Sequence, residues 1–111
     1  MNYKQGELVF VNFPFDDINS DKKRPAIIVG KSKSRFDTYI IAKITSNGRT
    51  DESSFWLDNE TLSRPTPRLS QVRCNVVQTL SESKILHKFS ALERNALKEL
   101  CDKIKINFDV D

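Results

Sequence analysis

Arg24 stands directly before a proline, in Lys22-Lys23-Arg24-Pro25-Ala26-Ile27-Ile28-Val29. A guanidinium stays charged and meets two phosphate oxygens at once with its planar fork. The residue before a proline is biased to extended backbone, which would set this side chain at the start of a rigid strand. Read alone, Arg24 equally fits a solvated loop-end arginine beside Lys22 and Lys23. Thr45 and Ser46 are hydroxyl donors at the end of an apolar run, and they equally fit strand termination before the Asn47-Gly48 turn signal. Arg73 is a second candidate cation or an exposed strand arginine.

Other chemistries find little support. Cys74, Cys101 and the single histidine, His87, lack the spacing of a zinc site. They read as two reduced thiols packed as small hydrophobes and a surface or packing histidine. Glycine occurs only three times, which argues against a glycine-rich phosphate loop. A net charge of +3 and a pI near 8.9 permit an anionic partner without demonstrating one. No metal or cofactor is expected.

The elements that must position these residues are short. Glu7 to Phe13 is β-branched and aromatic and predicts a strand, closed by Pro14. Residues 16–23 are polar and turn-like. Further strands are expected at 25–29, closed by Gly30, at 38–44, and at 54–57. Residues 63–68 hold Pro65 and Pro67 and read as loop or edge. One or two strands are expected over 70–80, and a short one at Ile85-Leu86. Ser90 with Glu93 matches a capping box, after which Leu92, Ala96, Leu97, Leu100, Cys101 and Ile104 recur at helical spacing. Short strands followed by one amphipathic helix suggest a small barrel with a helix packed on it. The 111 residues suit one domain, 1–111. No apolar run is long enough to cross a membrane. No signal peptide is read at the N-terminus, so the expected compartment is the cytoplasm.

Three pieces in order resemble the MazF/PemK toxin family. Gly6-Glu7-Leu8-Val9-Phe10-Val11-Asn12-Phe13-Pro14-Phe15 resembles the family's opening strand. Lys23-Arg24-Pro25-Ala26-Ile27-Ile28-Val29 is similar to its Arg-Pro-Ala/Val segment. Ala42-Lys43-Ile44-Thr45-Ser46 is similar to its apolar, proline-or-variable, Ile/Val, Thr, Ser/Ala step. A fourth piece, Ser70-Gln71-Val72-Arg73-Cys74-Asn75 with Thr79-Leu80, resembles the PemK branch. The likeness spans roughly residues 6–105.

The resemblance implies a mainly β fold, an SH3-like small barrel of the CcdB/PemK kind with a C-terminal helix. It implies a homodimeric, metal-independent endoribonuclease toxin that cuts single-stranded RNA, is neutralised by an acidic antitoxin, and meets DNA only through that antitoxin. It places Arg24, Thr45 and Arg73 in the catalytic set; Phe15, Lys23, Ser46, Asn75 and Arg35 are the RNA-binding candidates, Phe15 by its ring and Arg35 by its charge. Phe36 and Tyr39 are further stacking candidates, because single strands are read by stacking and edge contacts. Lys31 and Lys33 could add attraction to the phosphate backbone.

The chain departs from the pattern at two points. Asn75 stands where the PemK branch has an aspartate, and an amide cannot take a proton from a 2′-hydroxyl. The first-loop glutamate or histidine of some members is also missing; Ile18, Asn19 and Asp21 occupy that region, with Asp16, Asp17 and Asp21 as the nearest replacements. Two alternatives therefore stand beside the nuclease. One is a non-catalytic barrel that binds a protein target, as in the CcdB branch. The other is a degenerate member that binds RNA or antitoxin without cutting.

Overall fold

The computed structural model describes residues 2–12 and 23–110. Six strands form one antiparallel sheet: β1 (Glu7–Val11), β2 (Arg24–Lys31), β3 (Thr38–Thr45), β4 (Ser54–Trp56), β5 (Gln71–Ser81) and β6 (Ile85–Ala91). Their order across the sheet is β4-β5-β3-β2-β1-β6. One helix, α1 (Arg94–Lys105), follows, and single 3-10 turns cover Asn59–Thr61, Glu82–Lys84 and Ile106–Phe108. The expected mainly β, barrel-like fold with a C-terminal helix is therefore present. Its ladder is not closed, since β4 and β6 are the two edges.

The three central strands are apolar on both faces. Leu8, Ile27, Ala42 and Ile44 point to one side and pack with Leu57, Leu92, Ala96, Leu100 and Ile104. Val9, Val11, Ala26, Ile28, Tyr39 and Ile41 point to the other and pack with Leu80 and Ile85. Strand side chains alternate, so near-continuous apolar runs such as Ala26-Ile27-Ile28 feed both cores. The stripe expected on the helix is the one that docks: Ala96, Leu100 and Ile104 are buried, with Leu97 and Cys101 half-buried beside them. Neither cysteine is in a disulfide. Among the described residues, no helix is long and apolar enough to cross a membrane.

Several boundaries differ from the sequence expectation. Gly30 lies inside β2, where the register with β3 slips between Ile28 and Gly30 and absorbs the irregularity. Residues 71–81 form one strand, and β6 runs from Ile85 to Ala91 rather than stopping at Leu86. Phe13 and Pro14 lie outside the described residues. The helix starts later than the capping-box pattern implied. Ser90 is a buried strand residue whose hydroxyl donates to the Arg64 carbonyl at 2.7 Å and accepts from the Arg64 N–H at 3.1 Å. Glu93 caps the helix, and its N–H donates to the Thr61 carbonyl. The Leu62–Leu92 bridge keeps this stretch extended against the local preference.

Gly6 opens β1 with φ at +90°, the left-handed region. Its N–H donates to the Ile28 carbonyl at 2.7 Å and its carbonyl accepts from the Leu92 N–H at 2.7 Å, tying β2 and the helix approach together. A β-carbon there would sit 3.1 Å from the Leu92 carbonyl oxygen. Gly6→Ala should therefore lower stability by more than about 1 kcal/mol. Denaturant melts of the two proteins check this; an unchanged midpoint would show that the junction relaxes freely.

Candidate functional site

The end of the sheet where β2 begins and β3 finishes carries three adjoining cavities. The first, about 250 Å³, is lined by Arg24, Pro25, Lys43, Thr45, Ser46 and Asn47. The second, about 320 Å³, lies on the other side of β3 and takes in Arg49, Arg73 and Asn75. Lys43, Thr45 and Asn47 line both and form the ridge between them. A third cavity of about 210 Å³, largely apolar, is bounded by Phe10, Phe89, Pro25, Ile44 and Pro67, with Ser46 and Arg68 also in its wall.

The sheet register explains the grouping. Lys43 pairs with Ala26 on one side and with Arg73 on the other. Arg73 is also opposite Ser54 of β4. Residues paired across an antiparallel ladder share a face, so Lys43 and Arg73 face the same way. Thr45 lies two positions beyond Lys43, and its Oγ1 accepts the Asn47 N–H at 3.1 Å. That contact uses an acceptor site and leaves the hydroxyl proton for a ligand oxygen.

Arg73 is held by four contacts. Its Nη1 donates to Gln71 Oε1 at 3.0 Å, Ser54 Oγ at 3.1 Å and the Arg49 carbonyl at 3.3 Å. Its Nη2 donates to Asp51 Oδ2 at 3.0 Å. Five N–H donors belong to a guanidinium, so its remaining edge can still meet a ligand. The Arg73 bond, helped by the Ser53 N–H, holds the Asp51 carboxyl down at about 2. Gln71 is fully buried, and its amide packs against Gly48, where a β-carbon would meet Nε2 at 2.7 Å. The glycine of the Asn47-Gly48 turn thus serves close approach rather than a left-handed φ.

Of the residues singled out in the sequence, the fold brings Arg24, Thr45, Ser46, Arg73 and Asn75 to this one end. Lys23 is next to them, its ammonium 5.3 Å from the centre of the Phe10 ring. Arg35 is elsewhere: it lies in the β2–β3 hairpin at the far end, roughly 23 Å along β2 at ~3.3 Å per residue, and pairs with Asp37 at 3.9 Å. Lys31, Lys33 and the exposed Phe36 share that far end. Tyr39 is not available for stacking. It is fully buried, and its hydroxyl donates to Glu82 at 2.8 Å. Phe15, Asp16, Asp17, Ile18, Asn19 and Asp21 lie outside the described residues.

The sequence reading passed over Lys43, Asp51 and the Phe10–Phe89 pair, whose rings are 4.4 Å apart. The aromatic residue types of Phe10 and Phe89 were the available signal, but their meeting depends on the β1–β6 pairing. His87 packs beside Phe10 at 5.2 Å, as a surface histidine. A cavity of about 360 Å³ near Tyr3, Gly30 and Leu97 is lined by Lys31 and Tyr39 but by none of the catalytic candidates Arg24, Thr45 and Arg73. Among the described residues no group of three or more His, Cys, Asp or Glu is placed to hold a metal ion.

The arrangement can bind an anion with several cations and one oriented hydroxyl. Because Arg73 depresses Asp51, Arg73→Ala should return the Asp51 carboxyl toward its ordinary value near 3.8. A side-chain NMR titration reads this directly. The folded pKa is lowered, so the pair's stabilisation is present above the ordinary value and is lost as pH falls through about 2. An Asp51 that titrates identically in both proteins would remove the pairing.

Known proteins share this fold. Residues 4–108 match the model of the PemK-like, MazF-like toxins of type II toxin–antitoxin systems. No curated protein matches the sequence. Among solved structures, the Mycobacterium tuberculosis toxin MazF-mt6 superposes with a TM-score of 0.71 at 20% identity, covering 95% of this chain and 98% of that one. A MazE–MazF structure from Deinococcus radiodurans gives 0.76 at 15% identity over 100% of both chains. An endoribonuclease in complex with its cognate antitoxin, from a mycobacterial species, gives 0.71 at 11% identity, covering 96% and 95%. With the family pattern matched over nearly its whole length, the chain belongs to the PemK-like, MazF-like toxins of type II toxin–antitoxin systems.

Proposed function

We propose that this toxin is an endoribonuclease that cuts single-stranded RNA, using the substrate's own 2′-hydroxyl as nucleophile and no metal. The observation that carries the reading is the joint lining of adjacent cavities by Arg24, Thr45 and Arg73. A phosphate in the first cavity meets the Arg24 guanidinium and the Thr45 hydroxyl. Arg73 faces the same phosphate from across Lys43. As the 2′-oxygen adds to phosphorus, negative charge grows on the non-bridging oxygens, and preset donors stabilise it most. Asn75, on the exposed side of β5, orients the ribose hydroxyl without taking its proton.

Flanking nucleotides extend from this centre. Lys23 and Ser46 contact the strand beside Arg24, and a base fits the apolar cavity beside the Phe10–Phe89 pair. Single-stranded RNA supplies both phosphate charge and unstacked bases, which suits cationic cavities next to an aromatic one. The toxin acts as a single-domain homodimer in the cytoplasm. An acidic antitoxin segment covers the same end and orders as it binds. The antitoxin-bound endoribonuclease and the MazE–MazF structure that share the fold support such a partner. DNA is contacted only through the antitoxin.

Asn75 favours a second reading, a member that binds RNA or antitoxin without cutting, and one assay decides between them. Purified protein with a long RNA in excess EDTA should yield fragments ending in a 2′,3′-cyclic phosphate or 3′-phosphate. A 2′-deoxy substitution at the scissile position should abolish cutting. Strict magnesium dependence, or binding with no cleavage, would replace this reading. Arg24→Ala should cost on the order of 100- to 1000-fold in rate, with partial rescue by Arg24→Lys, whose ammonium lacks the planar fork. Full activity in Arg24→Ala would overturn the site. Asn75→Asp separates two roles for that position: a faster enzyme or a shifted pH optimum means a carboxylate was limiting, and weaker RNA binding means the amide holds substrate.

A further inference from the structure

Among the described residues, the polar side chains lining the two cationic cavities are guanidiniums, hydroxyls and amides, with one exception. Guanidiniums do not give up protons in proteins, and aliphatic hydroxyls and amides do not titrate near neutral pH. The exception is Lys43. It stands on the ridge shared by both cavities, half-buried, with Ala26 and Arg73 as cross-strand partners. The family pattern has a proline or a variable residue here, so this lysine belongs to the chain rather than to the pattern.

We propose that Lys43 is the proton-transferring residue of the site, donating from its ammonium to the 5′-oxygen as that oxygen leaves phosphorus. This rests on the endonuclease reading. The 2′-oxygen forms a bond to phosphorus while the bond from phosphorus to the 5′-oxygen breaks. The electron pair of the broken bond takes a proton from Nζ, the 2′-hydroxyl proton passes to solvent water, and the neutral amine regains a proton from solvent. The products are a 2′,3′-cyclic phosphate and a 5′-hydroxyl, with no change in oxidation state.

Position and surroundings both favour the role. A phosphate held between Arg24 and Arg73 lies over the ridge on which Lys43 stands with Thr45 and Asn47. Partial burial, and then the charge of Arg73, make the Lys43 ammonium a stronger acid than an ordinary lysine. Among the described residues, the other charged groups around the ridge are Arg24 on β2 and Arg49 and Asp51 on the loop after β3. Asp51 lies 3.0 Å from Arg73 and 3.4 Å from Arg49, so its charge is spent on them.

The test varies the leaving group. Wild-type cleavage of a long RNA is mapped first, and a short oligonucleotide is built on that site with either oxygen or sulfur at the bridging 5′ position. A 5′-thiolate leaves without protonation. Lys43→Arg keeps the positive charge but cannot donate its proton. It should lose roughly 100-fold or more on the oxygen substrate, as expected for a lost general acid, and return close to wild type on the sulfur substrate. Lys43→Met should behave alike, with matched thermal melts verifying the fold. Lys43→Arg within a few-fold of wild type on oxygen, or equal losses on both substrates, would overturn proton donation. A wild-type protein that cuts no RNA would overturn the nuclease reading itself and this proposal with it.

Discussion

The break in register between β3 and β5 is the constraint on which the candidate site depends. Ala42 pairs with Val77, but the next residue, Lys43, pairs with Arg73, so Cys74, Asn75 and Val76 fall out of the ladder. A bulge of this kind bends the strand and re-aims side chains. Cys74 turns into the helix-side core, Asn75 turns out to the surface, and Arg73 is carried between Lys43 and Ser54. Backbone groups released by the bulge need partners. The Cys74 N–H donates to the Ser53 carbonyl at 2.8 Å, and its carbonyl accepts from Asn107 Nδ2 at 2.7 Å. The chain past the helix therefore helps hold the distortion that shapes the cavities.

Gathering Arg24, Lys43, Arg49 and Arg73 at one end of a small sheet is costly unless something offsets the repulsion. Asp51 does part of this, bridging Arg49 and Arg73. Fixing Arg73 before any ligand arrives also means that its orientation need not be organised during reaction, which is where preset donors are most effective. The Lys43 ammonium is made more acidic first by its partial burial and then by the charge of Arg73. A bound phosphate relieves that repulsion. The same logic makes the site receptive to carboxylates as well as phosphates.

Both faces of the central strands are spent on packing, and this limits where function can sit. Tyr39 and the strand interiors are sealed in two cores. Ligand-facing groups are left to strand ends and loops, as is common for functional residues on a rigid scaffold. The aromatic pair Phe10 and Phe89 is an intermediate case. It sits on the sheet, yet borders a cavity because Pro67 and Arg68 pass beside it without filling the space.

By itself the sequence determined the elements and their composition. Its β-branched runs specified strands, the stripe from Ala96 to Ile104 specified the docking face of the helix, and the ordered Arg-Pro and Thr-Ser steps pointed to Arg24 and Thr45. These signals are local, since they depend on side-chain period and on what proline permits. Only the tertiary structure decided which distant residues meet. Ser90 looked like a cap until the Leu62–Leu92 bridge held it in a strand. Arg35 and Tyr39 looked like ligand contacts until the hairpin carried one to the far end and the core enclosed the other. Lys43 and Asp51 gave no motif at all. Their importance arises from a register slip between strands about thirty residues apart in the chain, and no local preference encodes which residue of one strand faces which residue of the other.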